Sequence, residues 1–302
     1  MMVLGRPLSR LRSRARPVSF VLFLLSLLGC GSVVKKRTQI EVPVGYQQVR
    51  EATLEELVQI INDYYARPAN ISVSEMEVEF QEGSIEEGYF ERYRRARGYL
   101  IAKRPDSIYI SIQNPLTRST VITMTTNEGN FEIWVPGENK YLMGKTNLKP
   151  NDKRPLYNVR PEHLLSALLI EPIPTGDSTI LHVLEEDVDS SSKYYVISVL
   201  EAPAEGTQAA LLKRKLWVER SRLGLVRQRY YDAGHLVSTM RYSNLVQVGS
   251  NIVPTGVEVE RLEERYTIRL QYQHETVAVN RRLKAGIFQI PFPPGAQRVA
   301  VK

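Results

Sequence analysis

The strongest constraint on this chain is a period of two in hydrophobicity across residues 98–144. Ile108, Ile110 and Ile112 alternate with Tyr109, Ser111 and Gln113, and Phe131, Ile133 and Val135 alternate with Glu132 and Trp134. That spacing puts apolar side chains on one face of an extended strand and polar ones on the other. Between the segments stand Arg104-Pro105-Asp106-Ser107, Asn127-Glu128-Gly129-Asn130 and Pro136-Gly137-Glu138-Asn139, all rich in turn formers. Connections this short return the chain antiparallel to itself. The same reading predicts strands at residues 71–81, 179–184, 194–200, 211–219, 225–231, 236–248, 253–262, 266–274 and 286–290, with hairpin turns at Ser221-Arg222-Leu223-Gly224 and Asp232-Ala233-Gly234. The expected fold class is mainly β (α+β). Its core is a large, curved, antiparallel sheet of about ten strands.

Two helices stand out against the strands. Thr53-Leu54-Glu55-Glu56 is a capping box, and Leu54, Leu57, Val58, Ile61 and Tyr65 follow on one helical stripe until Arg67-Pro68. A second helix starts at Pro161, a favourable first-turn residue, and runs through Leu164, Leu165, Leu168 and Leu169 to the stop at Glu171-Pro172-Ile173-Pro174. Both are expected to cover the concave face. A curled sheet of this size presents more apolar area than two short helices can cover, so a second layer of sheet or a cavity takes up the rest. In the cavity reading, Ile108, Ile110, Ile112, Leu57, Ile61, Leu165 and Leu168 line an apolar ligand groove.

The N-terminus reads as an address. Arg6, Arg10, Arg12, Arg14 and Arg16 precede an apolar run over residues 18–28, too short for a comfortable bilayer span, and no acid precedes Cys30. Those five arginines account for most of the formal charge of +7; the remaining chain is near neutral, which removes a general electrostatic case for nucleic acid binding. Cys30 is the sole cysteine, so no internal disulfide exists. Residues 32–50, with Lys35-Lys36-Arg37 and Pro43, read as a tether, its basic cluster either touching anionic headgroups or simply solvated.

Two resemblances sharpen this. Leu27-Leu28-Gly29-Cys30 resembles the bacterial lipoprotein box, which implies that Cys30 receives a diacylglycerol and that cleavage leaves it as an acylated N-terminus, with a signal peptide over 1–29 and a lipidated tether over 30–50. The rival reading is an ordinary signal with a buried free cysteine. Gly31, in place of an aspartate, implies sorting to the outer membrane, with the protein anchored on its periplasmic side through membrane lipid. Further on, Gly98-Tyr99-Leu100-Ile101-Ala102-Lys103-Arg104-Pro105-Asp106, the stretch from Asn127 to Pro136 with Lys140-Tyr141, and the hairpin from Leu216-Trp217-Val218-Glu219 to Leu225-Val226-Arg227-Gln228 resemble the LolA/LolB-like lipoprotein carrier fold. That resemblance implies that the sheet forms an unclosed barrel, one half-barrel domain over 51–302 that holds an acyl chain or an acylated protein between sheet and helices, without catalysis.

Catalytic and metal signatures are missing from the sequence. His163, His182, His235 and His274 are scattered without acid or cysteine at ligand spacing, and there is no nucleophile elbow or phosphate-cradling glycine loop. Glu185-Glu186-Asp187-Val188-Asp189-Ser190 lacks the glycine and terminal glutamate of a calcium loop and reads as a solvated hairpin tip. Arg92, Arg94, Arg95 and Arg97 around Tyr93 read as a strand's wet face, with a phosphate grip as the sharper alternative. No enzyme, metal or cofactor is expected. The alternative to a carrier is a structural or assembly lipoprotein of the envelope that acts through a protein partner, which requires a filled core. For the anchor, Cys30→Ser is expected to abolish incorporation of an alkyne-labelled palmitate in the expressing bacterium; retained label would remove the lipoprotein reading.

Overall fold

The computed structural model describes residues 42, 46, 48–84, 89–92, 95–146, 158–203 and 209–301. They belong to one unit, Val42–Lys302. Cys30 and residues 1–29 lie outside the described residues.

Strand β1 (Asn70–Ser84) is the seam of the molecule. Its apolar residues Ile71, Val73, Met76 and Val78 are buried on one side, and the switch of phase between Val73 and Met76 follows a bulge against its neighbour. On one flank it pairs with β3 (Ala96–Lys103), which begins a meander through β4 (Ser107–Gln113), β5 (Thr120–Asn127), β6 (Asn130–Val135) and β7 (Lys140–Lys145). On the other flank it pairs with β14 (Tyr266–Tyr272), the last strand of a second meander. That one runs from β8 (Ile180–Val188) through β9 (Lys193–Glu201), β10 (Leu211–Glu219), β11 (Gly224–Asp232), β12 (His235–Val248) and β13 (Asn251–Arg261). Short strands β2 (Tyr89–Arg92) and β15 (Val277–Val279) add to β1, and β16 (Gln297–Ala300) adds to β7. The result is one sheet of 16 strands whose end strands, β16 and β8, do not meet. The large antiparallel sheet expected from the alternation is therefore present, unclosed as the family resemblance implies, with more strands than the ten or so expected. One pairing, β16 with β7, is parallel.

Turn chemistry acts locally. Glu128 and Gly129 both take positive φ (52° and 72°) between β5 and β6, as do Ala233 and Gly234 (46° and 84°) between β11 and β12. These are the mirror-image turns that match strand twist, and glycine accommodates the second position without strain. The open edges are guarded: β16 is only four residues long, and β8 carries Glu185, Glu186 and Asp187 ahead of its last residue, Val188.

The predicted helices form. In α1 (Leu54–Ile60) Thr53 Oγ1 accepts from the N–H of Glu56 (3.2 Å) and the Glu56 carboxylate accepts from the N–H of Thr53 (2.8 Å), the reciprocal cap expected. Where a plain α-helix was expected, its last turn, Ile61–Tyr65, is widened: Ala66 N–H reaches back to the Ile61 carbonyl (2.9 Å). Helix α2 (Pro161–Leu168) touches β4 and β5 of one meander and β13 of the other, so it bridges both halves of the sheet. The core is a single apolar cluster between these helices and the sheet's inner face.

One expected strand is absent. Residues 286–290 form a turn, and the segment straps the outer face of the first meander. The Phe288 carbonyl accepts from Thr125 Oγ1 (3.0 Å), the Ile290 carbonyl accepts from the Tyr141 hydroxyl (3.2 Å), and Phe292 meets Tyr141 edge to face (5.1 Å between ring centres). Side chains of the sheet satisfy the backbone here, so the apolar residues that suggested a strand have no ladder to join. Leu57, fully buried, should cost ~2–5 kcal/mol of stability when replaced by alanine. Urea denaturation of Leu57→Ala measures this, and a loss below about 1 kcal/mol would contradict the packing described.

Candidate functional site

The seven residues expected to line a groove do come together. Leu57 and Ile61 from the N-terminal helix, Leu165 and Leu168 from α2, and Ile108 and Ile110 from β4 are all buried in the one core cluster; Ile112 is half-buried against it. They meet as packed side chains. Leu164, Ala167, Leu169, Ile170 and Ile173 fill in around them. The alternation placed them on the inner face, and the helical stripes placed their partners opposite.

The polar atoms that hold this helical cover were not singled out from the sequence. Arg104, in the turn between β3 and β4, donates from Nη2 to the carbonyls of Ala66 (3.1 Å) and Ile170 (2.6 Å), and from Nε to that of Pro68 (3.0 Å). A single guanidinium thus satisfies carbonyls just past the ends of both helices, where orphan acceptors and the negative end of the helix dipole favour a cation. Arg214 on β10 donates to the Glu171 carbonyl (2.9 Å) and holds Gln228 of β11, whose amide in turn reaches the Tyr242 hydroxyl. Asn62 closes the set: its amide donates to the Ile173 carbonyl (3.0 Å) and accepts from the Ile173 N–H (2.8 Å). The C-terminal end of α2 is therefore tied to the sheet and to the first helix by hydrogen bonds to backbone.

The other end of α2 carries buried ionisable groups. Arg160 sits 2% exposed with its guanidinium over the Phe131 ring (4.5 Å). His163 Nδ1 lies 2.5 Å from the Tyr266 hydroxyl. Burial, seconded by Arg261 and Arg160, keeps the His163 imidazole neutral by lowering its pKa well below the ordinary value, and burial raises the Tyr266 phenol. Both carboxylate oxygens of Glu162 are buried and, among the described residues, find no partner on another residue; burial outweighs the residue's own backbone N–H and the helpful charges of Arg160 and Arg261 to push its carboxyl up to about 7.

Other sequence candidates fall elsewhere. Arg92, Arg95 and Arg97 are matched by Glu79, Glu77 and Glu75 on β1, as the wet-face reading expects; Tyr93 and Arg94 lie outside the described residues. Glu185 to Val188 belong to strand β8 instead of a hairpin tip; at the tip, desolvation of the Asp189 carboxyl is outweighed by the N–H groups of Ser191 and Ser192 and the Tyr194 and Ser191 hydroxyls, which together bring it down to about 2. Among the described residues no three His, Cys, Asp or Glu side chains gather as metal ligands. Nor is any described helix long and apolar enough to cross a membrane. The end of the expected tether is bound to the body: the Tyr46 hydroxyl donates to the Asp189 carbonyl, and Arg50 N–H donates to the Arg220 carbonyl (2.9 Å).

The two buried groups of α2 set opposing pH dependences. The folded chain keeps a proton on Glu162 that the unfolded chain releases between about 4.5 and 7, so this group's stability contribution is present below that window and lost as pH rises through it. His163 refuses a proton that the unfolded chain takes below about 6.5, so its contribution is lost on acidification. Glu162→Gln is expected to raise stability at pH 8 by up to ~3 kcal/mol and to change it little at pH 4.5. Thermal unfolding at both pH values tests this, and an equal shift at both would contradict it.

No protein-family model matches the chain, and a search of curated proteins finds no match. Among solved structures the chain is similar to a LolA superfamily protein from Nitrosomonas europaea (TM-score 0.44, 15% identity, covering 80% of this chain and 99% of that one). It is also similar to a DUF1329 family protein from Desulfovibrio piger (0.46, 16%, 82% and 98%) and to a domain named for outer membrane lipoprotein sorting from Vibrio parahaemolyticus (0.47, 11%, 78% and 97%).

Proposed function

We propose that this chain is a lipid-anchored envelope protein that binds an acyl chain, free or as part of an acylated protein, between the inner face of the sheet and its helical cover. Acylated Cys30 holds it to the periplasmic side of the outer membrane. The observation that carries the reading is the latch at Arg104. A cover meant to stay shut could be sealed by apolar packing alone, whereas here one arginine and its neighbours grip both helix ends through backbone carbonyls, bonds that break and reform without rearranging the sheet.

The energetics permit exchange. Withdrawing Leu164, Leu165, Leu168, Leu169 and Ile170 from the inner face exposes side chains worth ~1.5–3 kcal/mol each, on the order of 10 kcal/mol in all. An acyl chain of about sixteen carbons brings ~0.8 kcal/mol per methylene, a gain of the same order. Binding and release are then close to balanced, as transfer requires, and no covalent chemistry is involved.

The filled inner face favours a second reading in the same structure: a structural or assembly lipoprotein that works through an envelope protein partner. One experiment separates them. Full-length chain and its Arg104→Leu and Asn62→Ala variants are purified in mild detergent, checked for folding by circular dichroism, and titrated with a fluorescent fatty acid. Saturable binding, at least about threefold stronger in a folded latch variant, supports the carrier. Absence of binding in the wild type and both folded variants would sink it and leave the partner reading.

A further inference from the structure

On the outer face of the second meander, opposite the helical cover, two arginines of β11 stand without counter-ions among the described residues. Arg227 and Arg229 are two residues apart on one strand, so both point outward, about 6–7 Å apart along it. The pairing register sets each directly across from another cation: Arg227 faces Arg241 on β12, and Arg229 faces Lys215 on β10. Like charges directly opposite one another destabilise a sheet. Elsewhere on this face the charges alternate. Arg241 meets Glu258 (2.6 Å) and Glu260 (3.0 Å), and Arg269 meets Glu258 (2.5 Å) and Glu79 (2.9 Å).

The neighbouring acids are engaged with other groups. Glu185 binds Lys215 (3.1 Å) and Asp187 accepts from the indole of Trp217 (2.9 Å). Among the described residues no carboxylate comes within ion-pair reach of Arg227 or Arg229, and Arg229 Nε is buried with no acceptor. Both guanidinium groups lie over the Trp217 ring, 5.1 and 5.2 Å from its centre. Trp217 itself is buried in a small outer cluster with Tyr194, Val196 and Val226, so the ring is a fixed wall. The ring face attracts both cations without using their N–H donors, which can then meet an acceptor.

We propose that Arg227 and Arg229, flanked by Lys215 and Arg241 and backed by Trp217, form a binding site for a phosphate group, presented by a phospholipid headgroup or by a small soluble phosphate. Paired forks of N–H donors match phosphate oxygens in geometry and charge, and the bound anion gives Arg227 and Arg229 the counter-charge that Arg241 and Lys215 take from Glu258, Glu260 and Glu185. The site is independent of the acyl-chain reading, since it lies on the opposite face of the sheet.

The chain has two tryptophans, so Trp134→Phe leaves Trp217 as the sole reporter, and this full-length protein is reconstituted into vesicles. In phosphatidylcholine vesicles, a saturable change in Trp217 emission on adding inorganic phosphate identifies a soluble phosphate ligand. A change seen only when half of the lipid is phosphatidylglycerol identifies the headgroup. In either case Arg227→Gln/Arg229→Gln should weaken the response at least about tenfold without lowering the unfolding temperature, because it also removes two like-charge pairs. No response to either probe, or an equal response from the folded double variant, overturns the proposal.

Discussion

An open sheet of 16 strands has one face that must be kept from water, and helix α2 supplies much of the cover. It does so from a bridging position: β4 and β5 lie on one side of the seam and β13 on the other. Its leucines therefore pack against both meanders at once, and the two halves of the molecule share a core because of it. Without that cover the halves would be joined mainly by the ladder of β1 with β14, and the apolar inner face would lie open.

The cover's ends differ in chemistry. At the C-terminal end of α2, neutral carbonyls meet Arg104, Arg214 and the Asn62 amide, so every charge there finds acceptors. At the N-terminal end, Glu162 and His163 are buried against their charged forms. The first arrangement is satisfied at any pH near neutral, and the second changes its contribution within that range. Stability of the cover is thus concentrated at one end and adjustable at the other.

The outer face obeys a different rule, because water is at hand. Its ion pairs are individually weak, and their value is in spacing charges so that opposites are adjacent. The ladder from Arg241 through Glu258 and Arg269 to Glu79 and Arg92 keeps that order. Against it, the Arg227–Arg241 and Arg229–Lys215 oppositions are exceptions to a pattern the rest of the face respects. Exceptions of this kind collect where a ligand completes the charge balance.

Local signals in the sequence were enough for the capping box at Thr53, the turns at Gly129 and Gly234, the alternation in β4 and β6, and hence the mainly β class and the inner-facing identity of Ile108 and Ile110. Each of these depends on residues within a few positions of one another. The latch was not legible, since Arg104 finds Ile170 across 66 positions, Arg214 finds Glu171 across 43, and Asn62 finds Ile173 across 111. Lys213-Arg214-Lys215 reads locally as a solvated basic run, and only the strand's register turns the middle residue inward. Nor could periodicity distinguish a strand from a strap at residues 286–290, because pairing needs a free ladder and that depends on which edge the chain reaches. What the sequence determined by itself was which side chains seek burial. What covers them, and which charges are left facing one another, was decided by strand order and register, properties of the whole sheet and of no single segment.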